Sequence, residues 1–330
     1  MNLTDFDYDL PRELIAQYPL KDRTRAKLLV LERKTEKIIH TEFFKILDYI
    51  SEDDLLILNN TKVVPVRLKG RRTTGGKVEI LLIRRLNENT FEALIKPSRL
   101  RFKEEIFFEE KELTAKILDK NKIEFSTKNL DEILKIGKMP LPPYIKREPN
   151  EEDFSFYQTV YAKEAGSIAS PTAGLHFDEK ILHNLKSKGV NIGYITLHIG
   201  YSSFKPLKIQ NITQHKLEEE FFKIEEQTRN LIEETKRKNR RIFAVGTTSV
   251  RVLETYAHKN ITSGYTDLYI YPGFNFKLTD CLITNFHLPK TSLFILVCAF
   301  AGIDLIKKAY NEAIQRRYRF LSYGDAMLIL

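Results

Sequence analysis

The chain has 330 residues, 42% of them hydrophobic and 29% charged, which suits a folded protein of about two domains and excludes a disordered one. Asp5, Asp7 and Asp9 stand where a secretion signal carries positive charge, and the longest apolar run, residues 293–302, is half of the ~20 residues a bilayer span needs. The net charge of +9 favours a polyanionic partner, and Cys281 and Cys298 offer neither a disulfide framework nor zinc-ligand spacing, so we expect a cytoplasmic protein with no membrane association.

In chain order, Pro11 predicts a short helix through Leu14 and Ile15, and Leu28–Leu31 with Lys37–Thr41 predict a paired strand turn. A further strand, Leu55–Leu58, ends at Asn59-Asn60-Thr61. From residue 63 to 127 the pattern becomes short apolar runs split by turn residues. Val78–Leu86 and Phe91–Lys96 flank Asn87-Glu88-Asn89, followed by Ile106–Phe108, Leu113–Leu118 and Ile123–Phe125. Six short strands without long helices predict a small closed barrel or sandwich. A short helix at 130–136 precedes Met139-Pro140-Leu141-Pro142-Pro143, a stiff linker.

Beyond it, strands and helices alternate. Asp178 caps a helix closed by Gly189, Val190–His198 is a strand, Glu225–Lys238 a helix and Ile242–Gly246 a buried strand. Val250–Ala257 is a helix, Thr266–Tyr271 and Cys281–Asn285 are strands, and Ser292 caps an apolar helix before a last one at Asp304–Arg316. The alternation predicts an α/β fold with a mostly parallel open sheet covered by helices. Residues 1–61 and 154–330 would form it, with residues 62–153 as an inserted small antiparallel β-barrel domain.

Four stretches carry polar residues where a plain scaffold would not. Thr172-Ala173-Gly174 with His176 is a turn leading into a capped helix, so Thr172 and Gly174 can offer backbone amides to a ligand and His176 an acid or base. Gly246-Thr247-Thr248-Ser249 with Arg251 follows a buried strand, where open α/β sheets bind ligands; simple helix capping explains the hydroxyls as well. Neither a Walker loop nor G-x-G-x-x-G occurs. Asn285 and His287 again follow a strand. The last stretch, Tyr318 to Met327, interleaves Tyr318, Arg319 and Tyr323 with the carboxylate of Asp325, which suits a stacked base and a neutralised backbone. His176, His198 and His287 share one predicted edge without metal-ligand spacing, so no metal is expected. Basic clusters also occur in the β-rich region, at Arg67, Lys69, Arg71 and Arg72 and at Lys96, Arg99, Arg101 and Lys103.

Together with Asp9-Leu10-Pro11, Tyr18-Pro19, Asn59-Asn60-Thr61, the run Gly75 to Leu81, Met139 to Ile145 and Tyr157 to Ala162, these stretches closely resemble one family over nearly the whole chain. It is the S-adenosylmethionine:tRNA ribosyltransferase-isomerases of queuosine biosynthesis. The resemblance implies transfer and isomerisation of the ribosyl part of S-adenosylmethionine, a co-substrate, onto 7-aminomethyl-7-deazaguanine at the tRNA wobble position. Epoxyqueuosine in tRNA, adenine and methionine would be the products. We expect a monomer that grips the anticodon stem-loop through Arg67, Lys69, Arg71, Arg99, Tyr318, Arg319 and Tyr323. His176 and His198 are the expected base and acid, with Asp325 accepting from the incoming amine. Thr172, Gly174, Gly246, Thr247, Thr248, Ser249, Arg251, Asn285 and His287 would hold the donor. Three positions depart from the family pattern: Ser170 for a common Ala, Ser202 for a usual Gly, and Glu218 where a second His is common.

Overall fold

The computed structural model describes residues 1–330 apart from 99, 109–112 and 202–205. The described residues fall into two compact units, one of Met1–Lys62, Pro142–Arg147 and Ser155–Leu330, the other of Val63–Leu141 and Glu148–Phe154.

The smaller unit holds a barrel. Arg67–Arg72, Lys77–Arg85, Thr90–Lys96, Glu105–Phe107, Thr114–Asp119 and Lys122–Phe125 pair antiparallel and close on themselves. Strand side chains alternate between faces, so in Lys77–Arg85 Val78, Ile80 and Leu82 point to the interior while Lys77 faces solvent. Closure removes the unpaired edges that six short strands would otherwise expose.

In the larger unit nine described strands make one sheet. Its order is Ser263–Thr266, Glu220–Ile224, Asn191–Leu197, Leu55–Asn59, Ile242–Val245, Cys281–Asn285, Ala326–Ile329, Lys27–Glu32 and Lys37–Glu42. The four central strands, from Asn191–Leu197 to Cys281–Asn285, run parallel. Ala326–Ile329 then enters antiparallel to Cys281–Asn285 and parallel to Lys27–Glu32.

Both faces of the central strands are buried, which is why Leu55–Asn59, Ile242–Val245 and Cys281–Asn285 read as largely apolar runs. Leu29, Leu31, Ile57, Ala244 and Leu282 pack against the helices Thr247–Lys259, Ser292–Ala301 and Ile303–Gln315. Leu28, Val30, Leu58, Phe243 and Ile283 pack on the opposite face with the helix Glu179–Ser187. Asp178 caps that helix as expected, accepting from the Ile181 amide at 2.7 Å.

Several local expectations are corrected. The cap of Ser292–Ala301 is Thr291, whose hydroxyl accepts from the Phe294 amide; Ser292 is already helical. The strand expected at 266–271 lies earlier, at Ser263–Thr266, where it pairs with Glu220–Ile224. The helix expected from Val250 begins at Thr247. Glu220–Ile224 and Ala326–Ile329 in the large sheet, Arg67–Arg72 in the barrel, and the short pair Thr61–Val63 and Glu164–Ser167 were not anticipated as strands.

Candidate active site

Parallel strands end on one edge of their sheet, and ligands of open α/β folds collect there. At that edge the larger unit has a cavity of about 80 Å3, lined by Ser170, Thr172, Gly246, Thr248, Asn285 and His287 among others. One buried water occupies ~10–15 Å3 on this measure, so there is room for a group of several heavy atoms.

Gly246 ends the strand Ile242–Val245 with φ +85°, a left-handed conformation that a side chain would strain. It turns the chain directly into the helix Thr247–Lys259, whose N-terminus has no side-chain cap. Thr247 and Thr248, at the positive end of this helix, therefore border the cavity, while the Ser249 amide is already bonded to the Gly246 carbonyl at 3.1 Å. Thr248 is held from behind by Asn59, which donates to its hydroxyl at 3.2 Å and to the Leu197 carbonyl at 3.1 Å while accepting from the Leu197 amide at 3.0 Å. Asn59 thus ties two strand ends to the start of the helix, a role its place in Asn59-Asn60-Thr61 did not reveal.

Opposite, Asn285 donates to the Leu321 carbonyl at 2.9 Å, leaving its Oδ1 buried and without a close hydrogen bond among the described residues, the His176 ring being its polar neighbour. The Ser170 hydroxyl is likewise buried, with no partner among the described residues. Unsatisfied polar atoms at this depth cost about 1–3 kcal/mol each and mark places that a ligand or water fills. Tyr144 and Ser322 close another wall through a 2.7 Å hydroxyl–hydroxyl bond.

His287 is fixed at several points. The Tyr8 hydroxyl donates to its carbonyl, and its amide donates to the Tyr310 hydroxyl at 3.2 Å. Its Nε2 lies 2.8 Å from the Thr284 hydroxyl, which also contacts the Asn285 carbonyl at 3.2 Å. With the single hydroxyl hydrogen assigned to the carbonyl, Nε2 carries the imidazole proton and Nδ1 keeps a lone pair; with it assigned to Nε2, the proton sits on Nδ1. Burial depresses the His287 pKa to about 3, so the ring is neutral at neutral pH. Among the described residues no Asp or Glu lines the cavity, and the charge of the one arginine there is already met: Arg251 donates to the Glu220 carboxylate, the Thr266 carbonyl and the Leu268 carbonyl.

The chain matches the model of the family described as "Queuosine biosynthesis protein" over residues 3–329. Proteins named S-adenosylmethionine:tRNA ribosyltransferase-isomerase from Sulfurihydrogenibium sp. and Aquifex aeolicus are each 48% identical to it, over 336 and 342 residues, covering 100% of both chains. A crystal structure of S-adenosylmethionine tRNA ribosyltransferase from Thermotoga maritima matches with 39% identity and a TM-score of 0.59, covering 99% of this chain and 100% of that one. The chain belongs to the queuosine biosynthesis protein family. It is a transferase with the two-part α/β and β-barrel architecture expected of it.

Within this queuosine enzyme, Thr172, Gly246, Thr247, Thr248, Arg251, Asn285 and His287 all line the one cavity. Two donor-site candidates do not. Ser249 turns inward and donates to the Val245 carbonyl at 2.8 Å. Gly174 sits in the buried turn Thr172–His176, where a Cβ would collide with the Tyr161 hydroxyl at 2.0 Å; tight packing explains it.

The catalytic candidates are dispersed. His176 is buried against the Phe43 ring and borders a different pocket. His198, half-buried, bonds the Thr61 hydroxyl through Nδ1 at 2.8 Å, stacks on Phe221 and does not line the cavity. Asp325 accepts from the amides of Lys27 and Arg319 at 2.9 and 2.7 Å, so its carboxylate stitches backbone instead of facing the cavity. Tyr318 is 1% exposed and bonded to His40, a core residue that cannot offer a ring face to a base. Tyr323 is buried too, though it borders the second pocket.

On the barrel, Arg67 pairs with Glu79, and Lys69 with Glu148 at 2.7 Å. Arg71 is exposed on the same strand. Lys77 and Lys96 border the same groove without an ion pair among the described residues. Arg99 and Ser202 lie outside the described residues. Among those described, no three His, Cys, Asp or Glu side chains gather as a metal set, and no helix is long and apolar enough to cross a membrane.

Proposed function

We propose that this enzyme transfers and isomerises the ribosyl moiety of S-adenosylmethionine onto 7-aminomethyl-7-deazaguanine at the tRNA wobble position, releasing adenine and methionine and leaving epoxyqueuosine. The names of its relatives supply the donor and the tRNA. The observation that carries the donor site is the uncapped helix start at Gly246–Thr248 on one cavity with Asn285, whose Oδ1 makes no close hydrogen bond among the described residues. The donor's carboxylate takes the helix amides, and a neutral acceptor such as Asn285 Oδ1 receives one of its N–H groups. A sulfonium is tolerated because, among the described residues, the one cationic side chain lining the cavity, Arg251, is paired with Glu220.

The sulfonium acidifies the ribose C5′ hydrogens. Removal of one gives an ylide; elimination breaks C4′–O4′, and the freed oxygen becomes the C1′ carbonyl as adenine leaves with a proton. The exocyclic amine adds to C4′ of the unsaturated sulfonium and loses a proton. The ylide so formed closes on C1′, and the C1′ alkoxide displaces methionine from C5′ to give the epoxide. We assign proton acceptance to His287, through Nδ1 in its Nε2–H tautomer, in place of His176 or His198, since His287 lines the cavity.

The test is product analysis with S-adenosylmethionine and tRNA bearing the aminomethyl-deazaguanine. Adenine and methionine should appear in equal amounts. S-adenosylhomocysteine in their place would replace ribosyl transfer with methylation.

A further inference from the structure

A second pocket of about 30 Å3 lies across Ser322 from the donor cavity, sharing that residue as a wall. Arg23, Phe156, His176 and Tyr323 border it. Arg23 and Arg319 both stand close enough to His176 to repel its proton. Burial also lowers the pKa of each guanidinium, so both have lost part of their water.

Little in the protein compensates for that loss. Arg23 rests over the Phe156 ring at 5.8 Å and donates one bond, at 3.3 Å, to the Gln158 carbonyl. Arg319 donates to the Tyr18 carbonyl, while its other terminal nitrogen is buried with no partner among the described residues. The His176 ring, on a side chain 4% exposed, has the Asn285 side chain and the Arg23 backbone as polar neighbours, and its Nε2 makes no close hydrogen bond among the described residues. The nearest carboxylates are committed elsewhere: Asp178 caps a helix, and Asp325 takes the Lys27 and Arg319 amides. Asp178 and Asp325 act on these guanidinium groups through space without pairing directly with them, so their forked donors stay available to the oxygens of a phosphate. Beside them Tyr18 is 58% exposed, its ring under the Arg147 guanidinium at 4.5 Å.

We propose that Arg23, Arg319 and His176 form an oxyanion site for the RNA phosphodiester next to the acceptor nucleotide, with Tyr18 as an adjoining stacking platform. The inference rests on tRNA being the acceptor. A base can reach the donor cavity only by leaving its stack, which brings its flanking phosphate to within one nucleotide of that cavity. The wall at Ser322 puts this pocket at such a distance. The donor's carboxylate, the other oxyanion in the reaction, already has the amides of the Thr247–Lys259 helix.

Arg23→Gln, Arg319→Gln and Arg319→Lys test this, at a temperature where circular dichroism shows each variant folded. Two affinities are measured: anticodon stem-loop RNA from 50 to 200 mM salt, and S-adenosylmethionine by calorimetry. Each glutamine variant should bind RNA at least tenfold more weakly at low salt, with the log–log slope reduced by about 0.7 per lost contact. Arg319→Lys should restore the slope, and donor affinity should move less than threefold. Loss of donor affinity with RNA binding intact would give the pocket to the donor's carboxylate and overturn the proposal. So would glutamine variants with unchanged RNA affinity and slope. If wild type binds no RNA, the tRNA reading itself fails, a result distinct from either.

Discussion

The guanidinium of Arg251 and the carboxylate of Glu220 form a buried ion pair in the partition between the donor cavity and a smaller cavity bordered by Leu217, Glu218 and Tyr269. Each residue is 5% exposed, and the other oxygen of Glu220 accepts from the Gly200 amide at 2.7 Å. Removing one partner of such a pair strands a buried charge at a cost of about 3–5 kcal/mol, whereas replacing both with apolar residues is often neutral. Glu220→Ala should therefore lower the unfolding free energy by about 3 kcal/mol or more. Glu220→Leu with Arg251→Met should regain most of it in urea titrations. Donor affinity in the double variant should stay within tenfold of wild type; a hundredfold loss would make Arg251 a carboxylate ligand after all.

Gly246→Ala tests the helix start. A side chain at φ +85° costs roughly 1–2 kcal/mol, and relief of that strain rotates the Thr247 and Thr248 amides. Donor Kd should rise at least tenfold while RNA affinity stays within twofold. An unchanged donor Kd would move the carboxylate elsewhere.

The assignment of His287 separates chemistry from binding. His287→Gln should lower kcat by about 100-fold or more, the usual worth of a positioned base, with donor Kd within a few-fold. His198→Gln, at a histidine held by Thr61 and outside the cavity, should cost less than tenfold. The reverse ranking would restore His198 as the base.

His176 makes the protein acid-sensitive. Burial, the largest influence, together with Arg23 and Arg319 lowers its pKa to about 4, although Asn285 and a backbone bond at Arg23 act to raise it. A histidine near 6.5 when unfolded and near 4 when folded binds its proton more readily unfolded. Its contribution is therefore present above pH 6.5 and is lost as pH falls toward 4, at up to about 1.4 kcal/mol per unit and about 3 kcal/mol in all. Urea unfolding at pH 7, 5.5 and 4.5 should show this slope in wild type and a shallower one in His176→Gln. Parallel slopes would mean that His176 takes up its proton equally in both states.

Periodicity carried the fold where burial was simple. Both faces of the central sheet are covered, so Leu28–Leu31 and Ile242–Val245 read as apolar runs, and the barrel strands alternate because one face is wet. Glu220–Ile224 stayed hidden because Glu218, Glu219, Glu220 and Lys223 look solvated; the partner that neutralises Glu220 is Arg251, on a distant helix. Ala326–Ile329 was concealed in a stretch whose aromatic and basic residues suggested a surface, although Tyr318 is core. In the site, strand ends located the cavity. Which histidine faces it depends on side-chain direction, and three histidines following strands or turns cannot be told apart by position. Ser170 was passed over as a minor departure, yet it lines the cavity and its hydroxyl has no partner among the described residues.

The placement of Ala326–Ile329 governs how the molecule is made. Leu28 pairs with Ala326 and Leu31 with Ile329, and Cys281–Asn285 lies along the other side of the same strand. A ribosome adding ~5–20 residues per second needs roughly 15–60 s to travel from one partner to the other. Throughout that interval the hairpin of Lys27–Glu32 and Lys37–Glu42 has emerged with one edge unpaired and Leu28–Leu31 uncovered, a surface prone to pairing with the wrong chain. Nascent copies on one messenger therefore gain from a chaperone that shields this hairpin until its neighbour arrives.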